Sequence, residues 1–500
     1  MNIPDFPVSP RKSPLSWLWV ISTVILCGIF VLASAPQAFA QGREQTGQNQ
    51  NFRRYTAVMQ QVFDFIQRHY VEEVDPQVLF EGAMTGMFNA LEDPYSNFLP
   101  ESEMTDLNDT TQGSFGGVGL YISKPVGDRP DGRPPYVEVA SPIEDTPGWR
   151  AGINPGDLII EINGESTDIL TMDEVLARLR GIPGEEVKLL IRRGEKLEFP
   201  ITLVRAVIEV PTTKYAMIGD VGYLKLITFT PMTVDRARDA IGEFQSNNYR
   251  GLILDLRNNY GGLLNSAVDI SSLFLDGGVV VSTKSRISSE NHVFNARRSA
   301  LVAAGIPVIV LINRGSASAS EIVAGALKDR GRAYLVGEKS FGKGSVQQVY
   351  PLERSGFKIT TARYYTPSDV NIDKIGIPPD REVKFPEFTD ADAEKLGELI
   401  KSNKIATFIK NDPGVDSADI DLYARVLARE YQLDIPLLRR LIRNEQNRTT
   451  IAPVYDLEYD IQLQEAVNIL RDGTYGPLMQ TTKTLKALQE EASGDLPLAS

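Results

Sequence analysis

Hydrophobic positions divide the chain into stretches of different texture. From Tyr55 to about Leu91, Val58, Val62, Phe65 and Ile66 recur at three-to-four spacing. Phe80, Ala83, Met84, Met87 and Leu91 do so again after Pro76, which predicts two helices. The polar stretch 41–51, QGREQTGQNQN, predicts a linker ahead of them. LEDPYSNFLP breaks the pattern. From Gly116 to about Val204 short β-like runs then alternate with glycine and proline around one helix, TMDEVLARLRG, for which Thr171 and Glu174 supply a capping box. From Val221 the texture turns α/β. VGYLKLITF, GLILDL, VVVST and IPVIVLI read as strands, and VDRARDAIGEFQ, LLNSAVDISSLFL and SEIVAGALKD as helices, so the alternation favours a layered sheet with flanking helices. Beyond Phe388 the pattern is helical and charged, as in ADAEKLGELI and YDIQLQEAVNIL, and the last stretch, EEASGDLPLAS, reads as disordered.

At 500 residues and 42% hydrophobic the chain can bury large cores in roughly two to four domains. Its net charge of -13 leaves no basic surplus to displace counterions from phosphates, so nucleic acid is excluded as a partner class. The N-terminus reads as a targeting signal: Arg11 and Lys12, the apolar run from Trp17 to Ala33, then Ala38-Phe39-Ala40, an A-x-A cleavage site. Cleavage after Ala40 would release a mature chain starting at Gln41; an uncleaved run would anchor the protein to a membrane. Either way the bulk is exported. The single cysteine, Cys27, lies inside this run, so once the signal is removed disulfides, thiol nucleophiles and cysteine-metal sites are excluded together.

The candidate chemistry lies in NRGSASASE, Asn313 to Glu321, where three serines alternate with alanine between an apolar strand and a helix. Histidine is the usual base for a serine nucleophile, but His69 and His292 have no local pairing that suggests a catalytic unit, and no HExxH spacing supports metal hydrolysis. Lys343, between two glycines in FGKGS, is the remaining candidate; its plain alternative is an exposed loop lysine. A free lysine titrates near about 10.4, so bringing it to about 7 needs roughly 4.6 kcal/mol of preferential destabilisation of the ammonium, within what burial supplies. A serine lysine unit therefore requires a desolvated lysine.

GSASASE followed by GEKSFGKGSVQ, with DLRNNYGGLL and GVGLYI upstream, resembles the carboxyl-terminal processing, or tail-specific, peptidases: serine endopeptidases with a Ser-Lys dyad and an embedded PDZ domain. ALEDPYSNFLP and TPSDVNIDKIGIPPD extend the resemblance from about Val71 to Asp380. It implies that Ser318, three residues before Glu321, is the nucleophile, that Lys343 is the base, and that Gln347 helps orient it. At a strand-to-helix turn the Ala319 N–H is a natural oxyanion donor, with the second drawn from Gly261 or Gly262, whose missing side chains allow a close approach. The family commonly has proline before this glycine pair, where Tyr260 stands here. Ser316 and Ser320 read as capping and packing residues. Glu321 reads either as an orienter or as a first-turn acid favoured by the helix dipole.

The segment from about Gly113 to Arg205 resembles a PDZ domain, in which Gly117, Val118, Gly119 and Leu120 correspond to the carboxylate-binding loop, a nest of backbone N–H groups beside a strand that pairs with an extended peptide. Arg180 matches a position that contacts the active-site assembly and implies a regulatory role; a solvated helix-end arginine is its plain alternative. The expected fold is multidomain α/β: a signal peptide or anchor over 1–40, a linker and helical segment over 41–111, a PDZ domain over 112–205, a layered α/β serine peptidase core over 206–387 and a helical segment over 388–500. The expected function is an exported serine endopeptidase, in a periplasm or thylakoid lumen, that recognises substrate C-termini, with no metal or organic cofactor and with homo-oligomer contacts through its helical ends. The alternative class is a catalytically idle peptide-binding scaffold, against which the retained dyad and Gln347 argue.

Overall fold

The computed structural model describes residues 46–124, 134–194, 196–298, 300–385, 390–449 and 453–494. The stretch that reads as a targeting signal, with Cys27, lies outside them. The chain divides into two units, one up to Met87 and one from Phe88 onward. The first contains the helix Thr46–His69 and most of the helix Pro76–Asn89. The former begins inside the stretch that reads as linker, a register that hydrophobic periodicity could not mark because its first residues are all polar or glycine.

In the second unit, the core is a six-stranded sheet in the order Thr213–Ile218, Val221–Leu226, Gly251–Asp255, Val308–Ile312, Tyr334–Gly337, Arg381–Glu382. The first pair is antiparallel and the rest parallel. Gly251–Asp255 and Val308–Ile312 are buried throughout, as central parallel strands must be when both faces are covered. Alternation decides which cover each residue meets. Leu252, Leu254, Val308 and Val310 face the helices Thr233–Ser246, Leu264–Ser272 and Ala319–Asp329. Ile253, Ile309 and Leu311 face Leu463, Ala466 and Val467 of the helix Ile461–Arg471. A helix read as part of the charged C-terminal stretch thus closes the far side of the sheet.

Arg257 pins that helix. Its guanidinium donates to Asp255 at 2.6 and 2.9 Å and to Asp460 at 2.6 and 2.8 Å, and Tyr223 adds its hydroxyl to Asp255 at 2.7 Å. Burial alone would raise the Asp255 carboxyl, but the charge and hydrogen bonds of Arg257 hold it below the ordinary carboxylate value. A second, antiparallel sheet joins Asn97–Leu99, Gly356–Tyr365, Val279–Lys284 and His292–Asn295, with Ser345–Pro351 also paired to Gly356–Tyr365.

The PDZ-like part is an antiparallel sheet in the order Leu120–Ser123, Val137–Pro142, Leu158–Ile162, Glu186–Arg193, Leu197–Val204, with the helix Met172–Leu179 completing it. Thr171 and Glu174 form the reciprocal cap at that helix start. The chain enters and leaves through the paired ribbon Ser114–Gly117 and Ala206–Glu209. Four helices between Asp390 and Thr449 bury their own core around Ile420, Leu427, Leu438 and Ile442. The final described helix, Leu485–Gly494, runs through EEASG, which reads as disordered in the sequence: Leu485 is buried in the main core, and its N–H donates to Asp329. That tertiary contact outweighs the polar local composition.

Candidate active site

The strand Val308–Ile312 ends at Asn313, and the turn 313–318 leads into the helix Ala319–Asp329. Two of the three serines are spent on holding this turn against the neighbouring strand end. Ser316 Oγ donates to the Leu256 carbonyl at 2.8 Å and Ser320 Oγ to the Asn259 carbonyl at 2.8 Å. Ala317 N–H also donates to Asn259 O. Ser318 is left in between at φ 54 and ψ -112, a region that costs an L-residue about 1–3 kcal/mol unless its surroundings impose it. It stands at the helix N-terminus, where the Ala319 N–H has no acceptor among the described residues.

The loop that ends Gly251–Asp255 closes against this serine. Gly261, at φ 106, lies so near that a Cβ there would stand 2.8 Å from Ser318 Cβ and 3.0 Å from Ala319 N. Its N–H donates to Asn259 Oδ1 at 2.9 Å, so of the glycine pair only Gly262 has an N–H without an acceptor among the described residues. Tyr260, in place of the family's proline, is 77% exposed, and the Asn259 side chain braces the loop by donating to Leu226 O.

Glu321 joins the two halves of the site. One carboxylate oxygen accepts from Ser318 N and Lys343 N, both at 2.9 Å; the other accepts from Ser340 Oγ at 2.6 Å and Gly342 N at 2.7 Å. Burial pushes this carboxyl above its ordinary value, and the four donors work in the opposite direction, toward the anion. Its spacing to Ser318 marked it in the sequence, but nothing there signalled that its partners lie about 20 residues downstream.

Lys343 is half-buried, and its ammonium lies 4.6 Å from the ring centroid of Tyr95. Burial lowers its pKa first and the positive charge of Lys358 second; Asp93 and Glu321 oppose them. Gln347 donates to Ser345 Oγ at 2.8 Å and Thr360 Oγ1 at 3.2 Å, and its carbonyl oxygen accepts from no described residue. Among the described residues no hydrogen bond joins Lys343 Nζ to Ser318 or to Gln347. Tyr364, unmarked in the sequence reading, is buried at the same site. Burial pushes its phenol up to about 12, with the Ser318 hydroxyl pulling the other way. His292 is an exposed strand residue against Phe294, and His69 packs on Phe65 with its ring tilted.

In the PDZ-like part, Gly117 belongs to the entry ribbon, opposite Ala206. The Val118 carbonyl accepts from Gly148 N and the Gly119 carbonyl from Ile143 N, while neither residue's N–H has an acceptor among the described residues. Gly119 has φ 74, and a Cβ there would lie 2.2 Å from the Thr146 Cβ, so no other residue fits without moving the loop. Leu120 opens the edge strand of the sheet. Arg180, at the C-cap of Met172–Leu179, stacks its guanidinium 5.0 Å from the Phe115 ring centroid. A cavity of about 540 Å³ at the junction of this part with the core is lined by Thr146, Ile208, Thr212 and Arg236, and not by Gly117, Val118, Gly119, Leu120 or Arg180.

Comparison with known proteins supplies the family. The model of peptidase family S41 matches residues 220–383, a PDZ domain model residues 138–193, and that of the activating protease CtpB N-terminal domain residues 29–102. A carboxy-terminal-processing protease of Bartonella bacilliformis is 39% identical over 391 residues, covering 74% of this chain and 88% of its own. The chain belongs to the S41 family of carboxyl-terminal processing peptidases. Carboxy-terminal processing protease CtpA of Bacillus subtilis is 31% identical over 355 residues, or 70% of this chain and 74% of its own. A solved photosystem II D1 C-terminal processing protease shares 29% identity over 66% of this chain and 92% of its own, with a TM-score of 0.40. The S41 chain is thus a serine-type peptidase, of mixed α/β multidomain fold, with a PDZ domain and helical regions at both ends. Among the described residues no helix is long and apolar enough to cross a membrane.

Proposed function

We propose that Ser318 is the nucleophile of this peptidase and Lys343 its general base, and that Ala319 and Gly262 donate their N–H groups to the oxyanion. The observation that carries the reading is the strained Ser318 backbone, beside two N–H groups with no acceptor among the described residues and tied through Glu321 to the loop of a desolvated lysine. Neutral Lys343 takes the Ser318 hydroxyl proton as Oγ attacks the scissile carbonyl carbon. The carbonyl oxygen becomes the oxyanion, and collapse breaks the C–N bond as the lysine returns the proton to the leaving amine. Water then hydrolyses the acyl-enzyme by the same relay. Closing the dyad requires Nζ to move from the Tyr95 ring to Ser318 Oγ, where the free Gln347 carbonyl oxygen is available to orient it.

Substrate tails are selected by the PDZ domain. Free N–H groups at Val118 and Gly119, next to the edge strand that begins at Leu120, suit a terminal carboxylate followed by an extended peptide. Arg180 has a place in communication between that groove and the core. The basic, apolar, small-residue order of residues 11–40 supports export, to a periplasm or a thylakoid lumen, with the segment either cleaved or kept as an anchor. An exposed apolar row on Thr46–His69, including Tyr55, Val62 and Phe65, supports self-association.

Matched peptides ending in a free acid or an amide test the reading, with Ser318→Ala as control. Cleavage should vanish in Ser318→Ala while peptide binding persists. Amidation should weaken binding by roughly tenfold to several hundredfold, the worth of one or two charge-assisted hydrogen bonds. Equal cleavage of acid and amide would remove the tail-reading role; turnover in Ser318→Ala would remove the nucleophile.

A further inference from the structure

Tyr95 belongs to LEDPYSNFLP, a motif with no part in the mechanism so far. The loop it sits on is fixed. The Asp93 carboxylate accepts from Tyr95 N at 3.1 Å and from Ser96 Oγ at 2.5 Å, and Ser96 Oγ in turn accepts from Thr360 N at 2.9 Å. Thr360 is also the residue that receives the Gln347 amide. The ring is therefore anchored to the same strand as the lysine's other neighbours.

We propose that Tyr95 is a positioning residue for Lys343, the face of its ring seating the ammonium and favouring the charged form of the base. The inference rests on the reading of Lys343 as base. Charged groups face the lysine from three directions: Lys358 from Gly356–Tyr365, Asp93 from the ring's own loop, and Glu321 from Ala319–Asp329. Asp373 faces the Tyr95 phenol, which burial first, and then Asp373, Asp93 and Glu321, hold in its neutral form. None of these groups is aromatic, so the ring face contributes a term they do not: a negative π surface 4.6 Å from the ammonium centre. Burial and Lys358 push the lysine toward the neutral amine; the ring pushes back. The ring face holds the resting ammonium, before Nζ leaves it for Ser318 Oγ. Tyr95 thereby sets the pH at which the resting lysine gives up its proton.

The test is the pH profile of kcat/KM on one tailed peptide, for the full chain and for Tyr95→Phe, Tyr95→Leu and a variant with trifluorinated phenylalanine at 95, which keeps the ring's shape and weakens its face. Tyr95→Phe should keep the wild-type midpoint. Tyr95→Leu should move the midpoint of the rising, acid-side limb down by about 0.4 to 1.5 in pH, the cation–π range expressed as a titration shift, and lower the plateau. The fluorinated ring should fall between. A purely structural role would lower the plateau and leave the midpoint in place. A wild-type midpoint in both the leucine and fluorinated variants overturns the proposal, and the fluorinated ring decides it alone if leucine unfolds the loop. Lys343→Arg separates this from the underlying reading: a limb that survives in Lys343→Arg overturns both, whereas a limb that disappears there but does not move in the Tyr95 variants overturns Tyr95 alone.

Discussion

Glu321→Gln is the most informative single substitution in this molecule, because it keeps the volume of the side chain and replaces one acceptor oxygen by an NH2 donor. Four donors converge on the two carboxylate oxygens, at 2.6, 2.7, 2.9 and 2.9 Å. A glutamine can turn its carbonyl oxygen to one pair and must then present an NH2 group to the other. The better orientation sacrifices Ser340 Oγ and Gly342 N, since the serine hydroxyl can rotate and accept; the worse one sacrifices the Ser318 and Lys343 amides themselves. Each lost bond to a charged acceptor is worth about 1.5–3 kcal/mol, so two amount to about 3–6 kcal/mol. Part of this returns, because burial already opposes the anion, leaving a net destabilisation of about 2–4 kcal/mol. If about half of it falls on the relative position of the Ser318 and Lys343 loops, kcat drops by roughly tenfold, at about 1.4 kcal/mol per decade. KM for a tailed peptide should hold, because the PDZ groove is untouched. Thermal unfolding and steady-state kinetics at several peptide concentrations measure both parts. A variant with lowered melting temperature but wild-type kcat would refute the idea that the carboxylate aligns the dyad, and would leave it as a packing device.

Two further perturbations probe the frame around the site. Gly261→Ala puts a Cβ 2.8 Å from Ser318 Cβ at φ 106, so burst-phase acylation should fall by at least tenfold with the fold retained; an unchanged burst would show that this loop gives way freely. Asp460→Asn weakens one carboxylate of the Arg257 fork, and chemical denaturation should reveal a loss of about 2 kcal/mol near neutral pH. The fork's pH dependence follows from Asp255: its folded pKa is lowered, so its contribution is complete above the ordinary carboxylate value and disappears as pH falls through the lowered one. Acid titration of stability in the two proteins checks that sign.

The sequence made the sheet legible because central parallel strands are continuous apolar runs, as GLILDL and IPVIVLI are. Motif spacing singled out Ser318 and Lys343, and the structure ties the N–H groups of both to the Glu321 carboxylate. What stayed hidden depends on long-range contact. Nothing in the amphipathic pattern of Ile461–Arg471 says which sheet it covers. The strand Gly356–Tyr365 lacks a clean alternation of buried and exposed positions, so Lys358 and Tyr364 could not be assigned to the site by period. Tyr95 is brought to Lys343 by a tie between Ser96 and Thr360, residues 264 apart in the chain. Ser316 and Ser320 read as capping and packing residues, whereas their hydroxyls bridge to carbonyls on a different strand end.

The far face of the central sheet has a consequence for how this peptidase is made. Ile253, Ile309 and Leu311 gain their cover only when Leu463, Ala466 and Val467 arrive, long after the last strand of the sheet, Arg381–Glu382, has been made. During vectorial synthesis, a nascent chain that already contains Ser318 and Lys343 still carries a bare apolar sheet and an Arg257 lacking one of its two carboxylates. Such an intermediate is prone to aggregate. A product truncated before Ile461–Arg471 keeps that sheet face bare and is a candidate for clearance.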